Sequence, residues 1–272
     1  MNLLRTAIAF LRRDLRMEVS YRFSFVLQFV GIFFSVFMFY YLSRLLGQSV
    51  GTISHLEPYG GDYFAFVLIG IAFSGYFGVG LSAFASGIRQ AQTTGTLEAM
   101  LMTPVTVSSI VLSSSLWTYL MTSVRVLVYL LIGVAFLGLN LGGGNYGAAL
   151  LALALTVVTF SSMGIIAASF IMVLKRGDPV TWLFSTLSSL LGGVYYPVTV
   201  LPDWLQPVAA LVPVTYSLRA MRLALLRGAP LAQLAPDLLA LALFSVVLLP
   251  LSLVAFRFAV RRARIDGTLT HY

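Results

Sequence analysis

The sequence predicts an all-α integral membrane protein with six membrane-spanning helices. Of its 272 residues, 59% are hydrophobic and only 10% are charged, and the mean hydropathy is +0.95. Soluble domains contain about 45–50% apolar and about 25% charged residues. The apolar residues also fall into runs of about 20 residues, the length of helix that crosses a bilayer core roughly 30 Å thick. Composition and run length therefore point to the same fold class.

The net charge of +8 would suggest a nucleic-acid partner in a soluble domain. Here the arginines flank apolar runs, so they indicate membrane topology and contact with lipid headgroups, and no nucleic acid is expected. The sequence has no cysteine, and its two histidines lie far apart. It therefore predicts neither a disulfide framework nor a metal site.

Residues 1–22 predict an amphipathic helix that lies in the cytoplasmic interface of the membrane. Leucine, isoleucine and alanine alternate there with arginine at helical spacing. The alternative is a plain basic flank that sets the orientation of the first span. A cleavable signal peptide is not expected, because the arginines are scattered through the segment.

Six apolar runs follow. They cover about residues 23–42, 63–84, 107–139, 148–174, 180–196 and 238–258. The stretch Trp204–Leu218 is too short for a seventh crossing and contains two prolines. With six spans and the N-terminus inside, 12 of the 17 Lys and Arg residues are cytoplasmic, whereas a seventh crossing would put the C-terminal arginines outside. Both termini are therefore expected in the cytoplasm.

The polar segment between the second and third spans predicts a short helix over residues 93–104. A threonine at its start supplies an N-cap oxygen, and Glu98 lies in the first turn, where the helix dipole favours a negative charge. Apolar residues then form a stripe at helical spacing, and Pro104 ends the helix. Because so short a helix needs a packing partner, the pattern alone leaves two interpretations: a docking element, or a loop on the bilayer surface.

Two stretches resemble type-2 ATP-binding-cassette (ABC) transporter permeases. The first, Gly95-Thr-Leu-Glu-Ala-Met-Leu-Met-Thr-Pro104, is similar to the cytoplasmic coupling segment of that family. The second, Tyr196-Pro-Val-Thr-Val-Leu-Pro-Asp-Trp-Leu-Gln-Pro207, continues through Pro213-Val-Thr-Tyr216 to Arg222 and is similar to the stretch between the last two spans. Both occur in the family's order, and the resemblance covers most of the chain.

The resemblance implies that the short cytoplasmic helix docks on a separate ATPase subunit. The docking residues would be Thr96, Leu97, Glu98, Met100, Leu101 and Pro104. It also implies one or two short helices that re-enter from the outer face over about residues 202–227. The outer segment named by the resemblance starts slightly before these helices, and its candidate residues are Pro197, Pro202, Trp204, Pro213 and Tyr216. Broken backbone at membrane depth is tolerated where protein or a water-filled cavity covers it.

The chain is not expected to be an enzyme. A P-loop needs Gly-x-x-x-x-Gly-Lys-Ser/Thr, but the single lysine, Lys175, is followed by Arg176. Almost all of the carboxylates flank the predicted spans and none lies in the middle of one, which disfavours a proton-driven carrier. No cofactor is expected in this chain. By resemblance, ATP and Mg²⁺ would be bound by the partner ATPase, present in two copies, and a second permease copy or a close homologue would complete the pathway.

Three residues are candidates for the substrate pathway or its gate. Arg125 is the lone charge deep in a predicted span; it either contacts an anionic substrate or a gating partner, or snorkels to the outer interface. Tyr195 and Tyr196 either line an exit gate or anchor the chain in an interfacial aromatic belt.

These observations predict the permease subunit of an ABC exporter in a bacterial or archaeal inner membrane. Export, rather than import, and the substrate classes (drug-like molecules, lipids and lipid-linked glycans) follow from the resemblance alone. Two alternatives stay open: a non-transporting scaffold or sensor subunit, and an ATP-independent secondary carrier or channel.

Overall fold

The computed structural model describes residues 3–20, 22–50, 54–93, 107–174 and 179–265. Within these ranges the chain forms nine α-helices and two short 3₁₀ helices, with no β-strand. The first five helices are α1 (Leu3–Ser20), α2 (Arg22–Val50), α3 (Tyr63–Thr93), α4 (Val107–Leu137) and α5 (Tyr146–Leu174). The remaining four are α6 (Pro179–Leu191), α7 (Gln206–Ala209), α8 (Pro213–Arg227) and α9 (Leu231–Ile265). The 3₁₀ helices cover Ser54–Tyr59 and Val198–Val200.

Five of the described helices are long and apolar enough to cross a membrane. Their candidate spans are Val26–Gly47 in α2, Tyr63–Phe84 in α3, Ser115–Leu137 in α4, Tyr146–Ile171 in α5 and Leu231–Arg262 in α9. The predicted fifth span, 180–196, corresponds to α6, which has 13 residues and is therefore about 20 Å long. The prediction of an all-α membrane protein is confirmed.

The last helix differs from its predicted bounds. Residues 238–258 were expected to form the span, but α9 begins at Leu231 and continues through Pro236 and Pro250. Pro236 and Pro250 each lack the N–H that would bond the carbonyl four residues earlier, yet neither ends the helix. As a result Asp237 lies inside a long helix, where its side chain is buried. The predicted sixth span began just after Asp237, whereas the observed helix encloses this carboxylate near its start.

Helix α3 is the centre of the bundle and α2 lies at its edge, because 78% of the α3 span is buried but only 11% of the α2 span. α3 packs against α4, α5 and α8, and α5 also packs against α9. The α3–α5 crossing is close because both helices carry glycine there. A Cβ atom on Gly164 would lie 2.0 Å from the carbonyl oxygen of Gly80.

Hydroxyl groups join the helices inside the bundle. The pairs include Tyr76 with Ser123 at 2.7 Å between α3 and α4, Thr156 with Ser217 at 2.6 Å between α5 and α8, and Thr159 with Ser245 at 2.9 Å between α5 and α9. Inside a bilayer, helices gain no hydrophobic free energy by packing on each other instead of on lipid. Hydrogen bonds between helices therefore help to hold the bundle together, and each contributes about 0.6–2 kcal/mol.

Helix α1 is amphipathic and packs along α4. Its arginines Arg12, Arg13 and Arg16 are exposed, and so are the large apolar residues Leu15 and Met17. The predicted amphipathic helix is therefore present over Leu3–Ser20, and its position at the boundary between lipid tails and headgroups stays a prediction.

Candidate functional site

Helix α8 lies at the end of the bundle where α2 ends and α3 begins, which we call the α8 end. The backbone nitrogen of Asn145, just before α5, donates to the carbonyl oxygen of Ala224 in α8 at 2.8 Å. Arg227, the last residue of α8, donates to the carbonyl oxygen of Pro58 at 3.3 Å. The loops that precede α3 and α5 therefore meet α8 at one end of the molecule.

Helix α6 runs along α3 and ends before it reaches the α8 end. Near its start, the Thr181 hydroxyl lies 3.5 Å from the carbonyl oxygen of Leu81. Just beyond its end, the carbonyl oxygen of Val194 packs on Gly70, where a Cβ atom would lie only 2.1 Å away. Gly70 is about 10 Å along α3 from Tyr63, at 1.5 Å per residue. The helix therefore breaks well inside the length of the α3 span.

The break is formed by residues 192–196, which are not helical. Gly193 has a φ of +72°, a left-handed conformation that suits glycine because it has no Cβ atom. Gly192 has no room for a side chain either, since a Cβ atom would lie 2.1 Å from Cγ1 of Val214 in α8. The Tyr196 hydroxyl donates to the carbonyl oxygen of Leu190 and so satisfies one free acceptor at the end of α6.

Arg222 of α8 holds this break and is 2% exposed. Its Nη1 and Nη2 atoms donate to the carbonyl oxygens of Gly193 at 2.8 Å and Val194 at 2.9 Å. Its Nε atom donates to the carbonyl oxygen of Phe66 at 3.0 Å, and the guanidinium carbon lies 3.4 Å from the centre of the Phe66 ring. Three carbonyls and an aromatic face offset the cost of burying the charge.

Burial lowers the pKa of Arg222 to about 9, which still leaves the guanidinium charged at neutral pH. Tyr59 packs beside it, with its ring 6.0 Å from the guanidinium carbon. Burial raises the pKa of the Tyr59 phenol, although the charge of Arg222 acts in the opposite direction. At neutral pH the pair therefore consists of a cation and a neutral phenol.

A second arginine of α8 forms an ion pair with α9. The Nε atom of Arg219 donates to Oδ1 and Oδ2 of Asp237 at 2.7 and 2.9 Å, and its Nη2 atom also bonds Oδ1. The hydrogen bonds with Asp237 raise the pKa of Arg219, so the guanidinium stays charged. Neither role was predicted from the sequence, in which Arg222 only ends the second family-like stretch and Arg219 has no assigned role. Their spacing of three residues, which puts them on one side of α8, was the only available signal.

The predicted outer residues are divided between buried and exposed positions. Pro213 begins α8 and is buried, and Pro197 is buried beside the break. Pro202 and Trp204 are exposed, and the Tyr216 hydroxyl donates to the carbonyl oxygen of Ala210 at 2.8 Å. The predicted region 202–227 thus contains the two helices α7 and α8.

Tyr195 connects the break to α2. Its ring stacks on Phe39 with a centroid distance of 5.8 Å and an interplanar angle of 18°. Its neighbour Tyr196 is turned toward the end of α6 through the bond to Leu190. Adjacent residues therefore fix the break to two different helices.

Arg125 is partly buried between α4 and α2, apart from the break. Its Nη2 atom donates to Oε1 of Gln28 at 2.7 Å, and its buried Nε atom has no hydrogen-bond partner. Gln28 lies near the start of α2, so the guanidinium bonds inside the bundle instead of reaching the α8 end. This geometry differs from snorkelling to the outer interface, and no sequence pattern indicated Gln28.

The six predicted docking residues, from Thr96 to Pro104, lie outside the described residues. The backbone on either side is described. α3 ends at Thr93 and α4 begins at Val107, both at the end of the bundle opposite α8.

Comparison with known families matches residues 50–254, about three quarters of the chain, to the family described as ABC-2 family transporter protein. A search of curated proteins found no match. The matched region begins before α3 and covers the break, α8 and most of α9. Members of this family are multi-pass membrane subunits that depend on a separate ABC ATPase. This chain belongs to the ABC-2 family of transporter permeases.

Proposed function

We propose that the chain is the transmembrane permease subunit of an ATP-driven exporter. Two copies, or one copy and a close homologue, form the substrate pathway, and two separate ATPase subunits bind ATP and Mg²⁺. The observation that carries the proposal is the break after α6, held by Arg222 within the length of the α3 span. Non-helical backbone at membrane depth is typical of transporters, where it lines or closes a pathway.

In this proposal α6 is the fifth of six crossings. Its 13 residues extend about 20 Å, and residues 192–196 continue toward the α8 end. α7 and α8 then form the outer re-entrant segment, and α9 returns to the cytoplasm. Both termini are cytoplasmic in a bacterial or archaeal inner membrane, because this orientation keeps most basic residues inside.

We place the contact with a second permease copy on the exposed apolar side of α6. Trp182 is 69% exposed and Leu190 56% exposed in the single chain. In an isologous pair this side of α6 would face its equivalent, and Tyr195 and Tyr196 would lie at the outer exit of the pathway. A pathway with apolar and aromatic walls suits a drug-like molecule, a lipid or a lipid-linked glycan.

We assign the coupling role to Thr96, Leu97, Glu98, Met100, Leu101 and Pro104. Glu98 would make a polar contact with the ATPase, and the apolar residues would fill its groove. The position of this segment in the sequence supports the assignment, since it joins the ends of α3 and α4 that are farthest from the break. ATP-driven movement of the segment would then act on α3, the helix on which the break packs.

The proposal is tested by affinity capture from the native membrane, with partners identified by mass spectrometry. The native chain is expected to capture a soluble ATPase, and a Glu98→Arg/Leu101→Asp variant is expected to lose it. Glu57→Arg is the matched control, because it reverses a carboxylate at the α8 end and should keep the ATPase. Size-exclusion profiles establish that all variants are folded.

Reconstituted complexes in vesicles then separate the alternatives. ATP-dependent movement of a lipid, drug or glycan supports the exporter. An ATPase partner without any flux would favour a scaffold or sensor, and flux without an ATPase would favour a secondary carrier. The pairing of buried Asp237 with Arg219 argues against a free proton relay at that position.

A further inference from the structure

A cavity of about 390 Å³ opens at the α8 end, between the end of α2, the start of α3 and the end of α4. Its lining residues are Tyr40, Ser43, Arg44, Gly47, Asp62, Phe64 and Leu137. The four residues from α2 share one side of that helix, since they recur at intervals of three and four. The cavity contains none of the residues that hold the α6 break.

Two opposite charges line this cavity without pairing. In the described part of the chain, no ion pair within 4.0 Å joins Arg44 to Asp62. Arg44 instead donates through Nε and Nη2 to the Tyr40 hydroxyl at 3.2 and 3.0 Å. Asp62 accepts a bond from the backbone nitrogen of Phe64 at 2.8 Å. Each charge is thus positioned by its own neighbour, and one cavity presents a cation and an anion to a ligand.

The cavity lies at the depth of lipid headgroups. The α2 span ends at Gly47, the α4 span ends at Leu137, and the α3 span begins at Tyr63, next to Phe64. The ends of three apolar spans, where the bilayer core gives way to water, therefore surround this cavity. Below it, the cavity side of α2 and the neighbouring surface of α4 expose apolar side chains such as Phe33 and Val134, on which acyl chains can pack.

We propose that this cavity binds the headgroup of a zwitterionic phospholipid, with the phosphate at Arg44 and the ammonium group at Asp62. Guanidinium–phosphate and carboxylate–ammonium contacts are charge-assisted and stronger than neutral hydrogen bonds. A headgroup that carries only a phosphate leaves Asp62 without a cation. The lipid belongs to the leaflet at the α8 end, which is the outer leaflet in the orientation proposed above.

The test is native mass spectrometry of the purified chain with lipids that share the same acyl chains. Phosphatidylethanolamine is expected to be retained best, phosphatidylglycerol less, and diacylglycerol least. Asp62→Asn keeps the acceptor for the Phe64 nitrogen but removes the charge. This variant should weaken retention of phosphatidylethanolamine about two- to fivefold, the effect of one solvent-exposed charged contact, without weakening that of phosphatidylglycerol.

Arg44→Gln should weaken retention of both phospholipids. Arg44→Lys should still retain phosphatidylethanolamine better than phosphatidylglycerol. Arg227→Gln is the matched control, because Arg227 is exposed at the α8 end but does not line the cavity. Arg227→Gln should leave the ranking of lipid retention unchanged. Thermal unfolding of each variant separates loss of binding from loss of fold.

Three results would overturn the proposal. Equal retention of the two phospholipids by the native chain would show a phosphate site without a role for Asp62. Equally tight binding of soluble phosphoethanolamine would identify a water-soluble ligand as the source. If neither Arg44→Gln nor Asp62→Asn changed lipid retention, the lipid would bind elsewhere on the protein. No ATPase is needed for any of these measurements, so their failure would be distinct from failure of the exporter proposal.

Discussion

Asp237 and Arg219 form an ion pair whose two members differ in their access to water. The Asp237 side chain is 3% exposed, whereas the Arg219 side chain is 44% exposed. Loss of the arginine would leave a carboxylate buried without its cation. Loss of the carboxylate charge would leave an arginine that already reaches water. We therefore expect Arg219→Ala to cost on the order of 2–3 kcal/mol of stability and Asp237→Asn about 1 kcal/mol, both reduced by solvent screening at Arg219.

The free energy of unfolding in detergent micelles measures this asymmetry. Arg257→Ala is the control, because Arg257 is an exposed arginine on the same helix as Asp237, and its removal should change stability by less than about 0.5 kcal/mol. Equal losses for Arg219→Ala and Asp237→Asn would mean that the carboxylate is not buried in the folded protein.

Gly70 permits the contact between α3 and the break. A Cβ atom there would lie 2.1 Å from the Val194 carbonyl oxygen and 2.5 Å from Nη2 of Arg222. Gly70→Ala is expected to lose about 1–3 kcal/mol, the usual cost of overpacking, because Arg222 must shift away from its carbonyl acceptors. Thermal unfolding measures the loss of stability. Transport by reconstituted complexes should decrease in the same variant.

Gly78 provides a control on the same helix, since a Cβ atom there would meet nothing within 4 Å. Gly78→Ala should raise stability by about 0.5–1 kcal/mol, because alanine favours a helix more than glycine does. If the two substitutions change stability in the same direction, the close packing of Val194 on α3 is incorrect.

The bond between Arg125 and Gln28 predicts a non-additive pair of substitutions. Gln28→Leu leaves Nη2 of Arg125 without its acceptor while the buried Nε atom is already unpartnered, so it should cost about 1–3 kcal/mol. Replacing both residues with leucine removes the donor and acceptor together and should restore much of that loss. The double variant is expected to be more stable than Gln28→Leu alone.

The same pair separates a packing role from a substrate role for Arg125. If Arg125 contacts an anionic substrate, Arg125→Leu should reduce transport more than Gln28→Leu does, at matched amounts of folded protein. Additive stability losses in the double-mutant cycle would instead show that the two side chains do not interact.

The sequence was sufficient for features that depend on local pattern. Apolar length predicted the long helices, and the alternation of apolar residues with arginine predicted the helix now seen as α1. The burial of Arg222 was not predictable in this way. Its acceptors on Phe66 and Val194 are far away in sequence, and a charge beside an apolar run is ordinarily read as a surface residue.

The absence of cysteine from the sequence allows membrane topology to be tested by single substitutions. Trp204 is 73% exposed near the α8 end, and Arg261 is exposed near the opposite end of α9. In intact cells, a membrane-impermeant maleimide should label Trp204→Cys directly and Arg261→Cys only after permeabilisation. Leu15→Cys in α1 should behave like Arg261→Cys, because six crossings place both termini inside. Labelling of all three from one side would rule out six crossings, whereas a complete reversal would preserve their number and invert the orientation.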